Sequence, residues 1–107
     1  MDQGVSLFGR TKCLIGVVHV APLPGSPGWS GSMLDVVGRA VEDAVAYERA
    51  GFDAVIVENY GDVPFSRGFA GRGAVAGLTA VGARVADRVK LPLGVNVLRS
   101  DAESAVA

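Results

Sequence analysis

The chain has 107 residues, of which 50% are apolar and 20% are charged, and this composition is typical of one small folded domain. A formal net charge of -1 provides no basic surface for nucleic acid, and the single cysteine, Cys13, excludes a disulfide within the chain. No apolar run approaches the roughly 20 residues of a membrane-spanning helix. These features predict a cytoplasmic protein with no nucleic-acid partner and no transmembrane segment.

The first half of the chain predicts one β/α unit after a flexible leader, residues 1–12. The apolar run from Leu14 to Val20 is rich in β-branched residues and is typical of a strand buried on both faces. After a loop of prolines and glycines, Ser32 is the expected N-cap of a helix that ends near Ala50, with Gly51 as the residue after it. The expected apolar stripe of this helix comprises Met33, Val37, Ala40, Val41, Ala44 and Val45.

The second half of the chain repeats this pattern. A strand is predicted at Ala54–Glu58, a helix from about Ala74 to Val89, and a third strand at Leu93–Leu98. The segment Ser100–Ala105 has the pattern of the beginning of a third helix. The resulting order, β-α-β-α-β-(α), predicts parallel strands joined by right-handed crossovers.

Glycines mark the start and the interior of the second predicted helix. The segment Gly71–Gly77 resembles a dinucleotide-binding pattern, but it lies about a dozen residues past its strand and its last glycine is one position too far. An anion held by Arg67, Arg72 and the N-terminus of this helix is the alternative interpretation. Gly77 and Gly82 each weaken the helix by about 1 kcal/mol relative to Ala, and we expect them to allow close packing on the sheet.

Polar side chains gather where the three strands end. The residues are His19 on the first strand, Glu58 and Asn59 on the second with Asp62 beyond it, and Asn96 and Arg99 on the third. In parallel α/β folds the carboxyl ends of the strands share one edge, and ligands bind there. The sequence therefore predicts a ligand site at this edge. Each residue also has a structural alternative, since strand-end amides often bond to loop backbone.

Three segments together resemble the BtpA/SgcQ family. They are Ile15–Pro27 (IGVVHVAPLPGSP), Ala50–Phe65 (AGFDAVIVENYGDVPF) and Leu91–Arg99 (LPLGVNVLR). The resemblance extends over nearly the whole chain from Leu14 onward, with the three segments in the family's order.

This resemblance implies a fold and several functions. The implied fold is α/β, a (β/α)8 TIM barrel of the ribulose-phosphate-binding type. Such a barrel takes about 250 residues, so the chain corresponds to an N-terminal fragment with the first three β/α units, residues 13–107. The implied role is photosystem I assembly, with a photosystem-related partner and peripheral membrane association in photosynthetic relatives. An unassigned enzymatic activity on a small-molecule ligand, including a nucleosidase-like hydrolysis, is implied as well, and the cofactor stays open.

The expected roles of the strand-end residues follow from that fold in a full-length protein. Glu58 or Asp62 is the expected acid or base, and His19 is a second proton-transfer or ligand group. Asn59, Asn96 and Arg99 are the expected substrate contacts. His19, Glu58 and Asp62 also have the chemistry of a metal site.

Two alternatives remain open. One is a non-catalytic assembly factor, in which the same residues bind a partner without turnover. The other is a self-standing, flavodoxin-like domain of three strands. If the chain is instead part of a barrel, one sheet face lacks its packing partners, and we expect self-association.

Overall fold

The computed structural model describes residue 9 and residues 11–65 and 68–107. The predicted leader, residues 1–12, lies largely outside these residues, as does Arg67. Three strands alternate with three helices, in the predicted order. The elements are β1 (Ile15–His19), α1 (Met33–Arg49), β2 (Ala54–Glu58), α2 (Arg72–Arg88), β3 (Leu93–Asn96) and α3 (Ala102–Val106). No helix in the described ranges is long and apolar enough to cross a membrane.

The three strands form one parallel sheet with β2 in the centre. This confirms the predicted α/β architecture, with sequential strands as in the first units of a (β/α)8 barrel. A flavodoxin-like sheet places its first strand between the second and third. The observed order differs, so the flavodoxin-like topology of that alternative is wrong.

Helix α1 begins and ends where the sequence predicts. The Ser32 hydroxyl accepts a hydrogen bond from the Asp35 amide at 3.2 Å and caps the first turn. At the other end, Gly51 has a φ of +87°, and its amide donates to the carbonyl of Glu48. Glycine adopts this left-handed conformation without steric cost, which stops the helix there.

Both long helices cover the same face of the sheet. Helix α1 packs on β1 and β2, α2 packs on β2 and β3, and the two helices contact each other. Val18, Val55 and Val57 are fully buried beneath them. The predicted stripe of α1 is confirmed: Ala40 and Ala44 are buried, and its four other members are partly buried against the core. The prediction omitted Val36, which is buried as well. The opposite face of the sheet stays partly open, with Ile15 44% exposed.

The third strand is shorter than predicted. It ends at Asn96 and not at Leu98, because the side chain of Asn59 takes both backbone groups of Leu98. The Leu98 amide donates to Asn59 Oδ1 at 2.6 Å, and Asn59 Nδ2 donates to the Leu98 carbonyl at 2.9 Å. The Asn59 side chain therefore bonds to the Leu98 backbone in place of the backbone of a neighbouring strand.

Helix α3 begins at Ala102, with Asp101 as its N-cap. Asp101 Oδ1 accepts from the Ser104 amide at 3.1 Å, and Oδ2 accepts from the Ala70 amide at 2.9 Å. The Ser104 side chain, followed by the Ala70 and Ser104 amides, holds the pKa of Asp101 below its usual value. One carboxylate thus connects α3 to the loop that precedes α2.

Candidate functional site

A row of three polar side chains lies at the carboxyl end of the sheet. His19, Glu58 and Asn96 are paired in register across β1, β2 and β3. Residues paired in a parallel sheet share a face, and this row belongs to the face that the long helices leave open. The row therefore brings together three of the six residues that the sequence predicts.

Glu58 is the centre of this polar row. Asn96 Nδ2 donates a hydrogen bond of 2.6 Å to Glu58 Oε2, and His19 Nε2 lies 3.8 Å from Glu58 Oε1. The Glu58 side chain is 16% exposed and that of His19 is 57% exposed. One carboxylate oxygen is thus fixed by an amide, while the other faces an imidazole. A carboxylate and an imidazole in this arrangement are able to accept and pass on a proton.

The turn that follows β2 is fixed to the end of β1. The Glu58 carbonyl accepts hydrogen bonds from the amides of Val20 and Tyr60, and the Gly61 amide donates to the Val20 carbonyl. A Cβ atom at Gly61 would lie 2.5 Å from the Pro22 nitrogen, so only glycine fits this close approach. The backbone beside the polar row is therefore tightly constrained.

Asp62 contributes to the same connection between loops. Its Oδ1 accepts a hydrogen bond of 2.7 Å from the Leu23 amide, across 39 positions of sequence. No group of three His, Cys, Asp or Glu side chains in the described part of the chain is arranged to hold a metal ion. The structure thus gives the Asp62 carboxylate a backbone partner, and the predicted metal set of His19, Glu58 and Asp62 is not assembled.

The remaining two predicted site residues have different surroundings. Asn59 is 1% exposed and is fully engaged with the Leu98 backbone, on the helix side of the sheet. Arg99 is exposed in the turn after β3, where its carbonyl accepts from the Gly68 amide at 3.0 Å. Arg99 remains accessible to a ligand, whereas Asn59 supports the turn from beneath.

Tyr60 also lies beside the polar row, and it is not among the six residues that the sequence predicts. The centroid of its ring lies 4.5 Å from that of His19, and the two planes are tilted by 31°. Phe65 follows at 6.4 Å from Tyr60. The available signal was an aromatic residue directly after Glu58 and Asn59, at the strand end where ligands bind.

Two of the cavities that lie away from the polar row border the start of α2. One, of about 230 Å³, is lined by Arg72, Gly73, Asp62 and Ser26 at the N-terminus of α2, where the anion site was predicted. The other, of about 770 Å³, lies between the start of α2 and α3. Neither is lined by a member of the polar row.

Comparison with known proteins supplies the family. A model of the BtpA family matches residues 10–107. The chain belongs to the BtpA family. This confirms the resemblance described from the three sequence segments. No solved structure matches this BtpA chain.

Curated BtpA relatives come from archaea and bacteria. An uncharacterized protein of Pyrococcus horikoshii is 51% identical over 92 residues, covering 86% of this chain and 35% of the relative. The photosystem I biogenesis protein BtpA of Synechocystis is 43% identical over 100 residues, covering 94% and 35%. The sgc region protein SgcQ of Escherichia coli is 30% identical over 94 residues, covering 86% and 35%. The chain thus spans about a third of the length of the curated relatives it matches.

Proposed function

We propose that the polar row is part of the ligand site of a BtpA-type (β/α)8 barrel, with Glu58 as its acid or base. One observation carries this proposal: three successive strands place His19, Glu58 and Asn96 side by side, in contact, at the edge of the sheet where α/β enzymes bind their ligands. Because the relatives are longer, the whole barrel, its substrate and its turnover belong to the proposal.

The proposed division of roles follows from the contacts. Asn96 orients the Glu58 carboxylate through its 2.6 Å hydrogen bond, and His19 exchanges a proton with the other oxygen. Arg99 is available to an anionic part of the ligand. Asp62 and Asn59 keep the loops around the row in place. The expected ligand is a small molecule with exchangeable protons, such as a nucleoside or a sugar phosphate.

The test uses the full-length Pyrococcus relative and replaces by glutamine the residue that aligns with Glu58. We expect this variant to fold normally but to lose the thermal stabilisation that a nucleoside or sugar phosphate gives the unsubstituted protein. The glutamine keeps the shape and the Asn96 contact while removing the proton-accepting charge. The control is the same change at the residue aligned with Glu42, on the exposed surface of α1. If the Glu58 variant melts far lower yet still binds the ligand, the carboxylate is structural.

A second candidate function is assembly of a photosystem without turnover. It is supported by the Synechocystis relative, a photosystem I biogenesis protein that is 43% identical to this chain over 100 residues. The two candidates differ in a complementation experiment in a Synechocystis strain that lacks its own BtpA gene. The glutamine variant of the Synechocystis protein restores photosystem I if the role is binding alone. It fails to do so if the acid or base is required.

A further inference from the structure

The exposed imidazole of His19 needs something besides Glu58 to orient it. The 3.8 Å separation between His19 Nε2 and Glu58 Oε1 is too long for a strong hydrogen bond. At 57% exposure, the side chain of His19 has little packing around it and would otherwise sample several rotamers. The second contact that the structure provides is the ring of Tyr60.

Tyr60 is suited to hold another side chain. Its amide is bonded to the Glu58 carbonyl at 2.8 Å, and the next amide, of Gly61, is bonded to the Val20 carbonyl at 3.0 Å. Phe65 lies 6.4 Å away from the Tyr60 ring and His19 lies 4.5 Å away. An aromatic side chain has only two χ angles, so a rigid backbone and ring neighbours restrict it at little entropic cost.

We propose that Tyr60 is a positioning residue, which holds the His19 imidazole beside the free oxygen of Glu58. Its ring, 53% exposed, also presents a flat apolar surface to whatever reaches the polar row. The orientation of His19 is a property of the unliganded protein. Only the consequence for a ligand rests on the proposed function.

The single histidine of this sequence makes the orientation directly measurable. With ¹³C-labelled histidine, the imidazole C–H signals of His19 report the Tyr60 ring current without further assignment. We expect Tyr60→Leu to move these signals toward the values of a free histidine, and to raise severalfold the rate at which diethylpyrocarbonate modifies His19. Tyr60→Phe keeps the ring and is expected to preserve both. Phe69→Leu removes a similarly exposed aromatic residue from another surface and is expected to change neither.

If Tyr60→Leu does not fold, Phe65→Leu provides the test of the proposal instead. It leaves the Tyr60 ring in place but removes its aromatic neighbour, so we expect an intermediate shift and broadened His19 signals. Unchanged His19 signals in a folded Tyr60→Leu chain, or in Phe65→Leu if the first variant unfolds, would overturn the proposal.

Ligand binding by the full-length Pyrococcus relative separates this inference from the proposed function. With a nucleoside or a sugar phosphate as probe, leucine at the position aligned with Tyr60 is expected to weaken binding severalfold, and phenylalanine to restore it. If the His19 signals respond as expected but glutamine at the position aligned with Glu58 leaves the binding of every probe unchanged, the positioning role stands and the proposed function fails. If the Glu58 substitution abolishes binding but Tyr60→Leu leaves the His19 signals unchanged, only the positioning role fails.

Discussion

Asn59 and Asn96 have the same side chain at the same end of neighbouring strands, yet their surroundings are opposite. Asn96 is exposed and donates to the Glu58 carboxylate, whereas Asn59 is buried and satisfies the amide and carbonyl of Leu98. A buried polar group without a partner costs far more than an exposed one. The two amides therefore offer a matched comparison of structural and functional roles.

Asn59→Ala is expected to destabilise the chain much more than Asn96→Ala. Removing Asn59 breaks two hydrogen bonds and leaves two backbone groups of Leu98 without their partner, which costs roughly 2–4 kcal/mol. Asn96→Ala exposes its partner to water and is expected to cost less than about 1 kcal/mol. Urea unfolding at a fixed protein concentration measures both. Equal losses would contradict the structural role of Asn59.

The sequence predicts the position of the polar row better than its contacts. Strand ends follow from apolar runs, and alternation along β2 places Glu58 and Asn59 on opposite faces, because Val57 is buried. The alternation itself is available from sequence, but the burial of Val57, which only the structure shows, assigns Asn59 to the helix side. The bond between Asp62 and Leu23 spans 39 positions, and no local pattern specifies it. Tertiary contacts of this kind decide which carboxylate belongs to the polar row and which one holds a loop.

At the level of elements, the two glycines in the interior of α2 differ in how closely other residues approach them. Both Gly77 and Gly82 lie within the helix and are buried. A Cβ at Gly77 would lie 2.6 Å from Leu23 Cδ2, whereas no heavy atom lies within 4 Å of a Cβ at Gly82. The predicted close packing is therefore present at Gly77. It involves the loop after β1 and not the sheet itself.

Gly82→Ala is expected to stabilise the chain, and Gly77→Ala to destabilise it. Alanine gains up to about 1 kcal/mol in a helix interior where space exists, as it does at Gly82. At Gly77 the same gain is opposed by displacement of Leu23, which is fully buried, and overpacking typically costs about 1–3 kcal/mol. Thermal melts of the two variants beside the unsubstituted chain test this. Stabilisation by both changes would mean that Leu23 moves freely.

The link between α3 and the preceding loop is expected to weaken in acid. The folded-state pKa of Asp101 is lowered by its hydrogen bonds, below an unfolded value of about 3.9. Its stabilising contribution is therefore present above that value and is lost as the pH falls through the folded-state pKa.

The Ala70 amide proton, which Asp101 Oδ2 accepts, reports this titration by NMR. Its resonance is expected to shift with a midpoint below 3.9, the reference value for a carboxyl group. Asp101→Asn should remove that shift, while Asp87→Asn, on the exposed surface of α2, should retain it. A midpoint at or above the reference value contradicts the assignment.

The whole molecule has one well-covered sheet face and one open face. Val18, Val55 and Val57 lie under the helices, whereas Ile15 is 44% exposed. Val95 is paired with Val57 and so belongs to the covered face, but it is still 40% exposed because β3 is an edge strand. Apolar surface and unpaired strand edges of this kind favour pairing with another chain. The open face also contains the polar row, so a chain that bound to its apolar part would lie next to the proposed ligand site.

We expect the 107-residue chain by itself to associate in solution. Fully burying a single Ile or Val side chain contributes about 1.5–3 kcal/mol, so a shared open face is a substantial driving force. Size-exclusion chromatography with light scattering measures the mass, and a dye that binds apolar surface measures the exposure. Ile15→Lys, on the open face, is expected to reduce both association and dye binding. Leu34→Lys, at an exposed position of α1, is the control. A dye-silent monomer of 10.9 kDa would contradict this expectation.

The bond between the Asp62 carboxylate and the Leu23 amide has a consequence for recombination between relatives. Residues 20–28 and 59–65 are joined by this bond, by the Gly61 amide on the Val20 carbonyl, and by the contact of Gly61 with Pro22. A chimera that takes only one of these segments from a relative separates the Asp62 carboxylate from the Leu23 amide of its own protein. It also places a foreign loop against Gly61, where there is no room for a Cβ atom. Chimeras that transfer both segments together keep these contacts, so the two loops are expected to be exchangeable between relatives only as a pair.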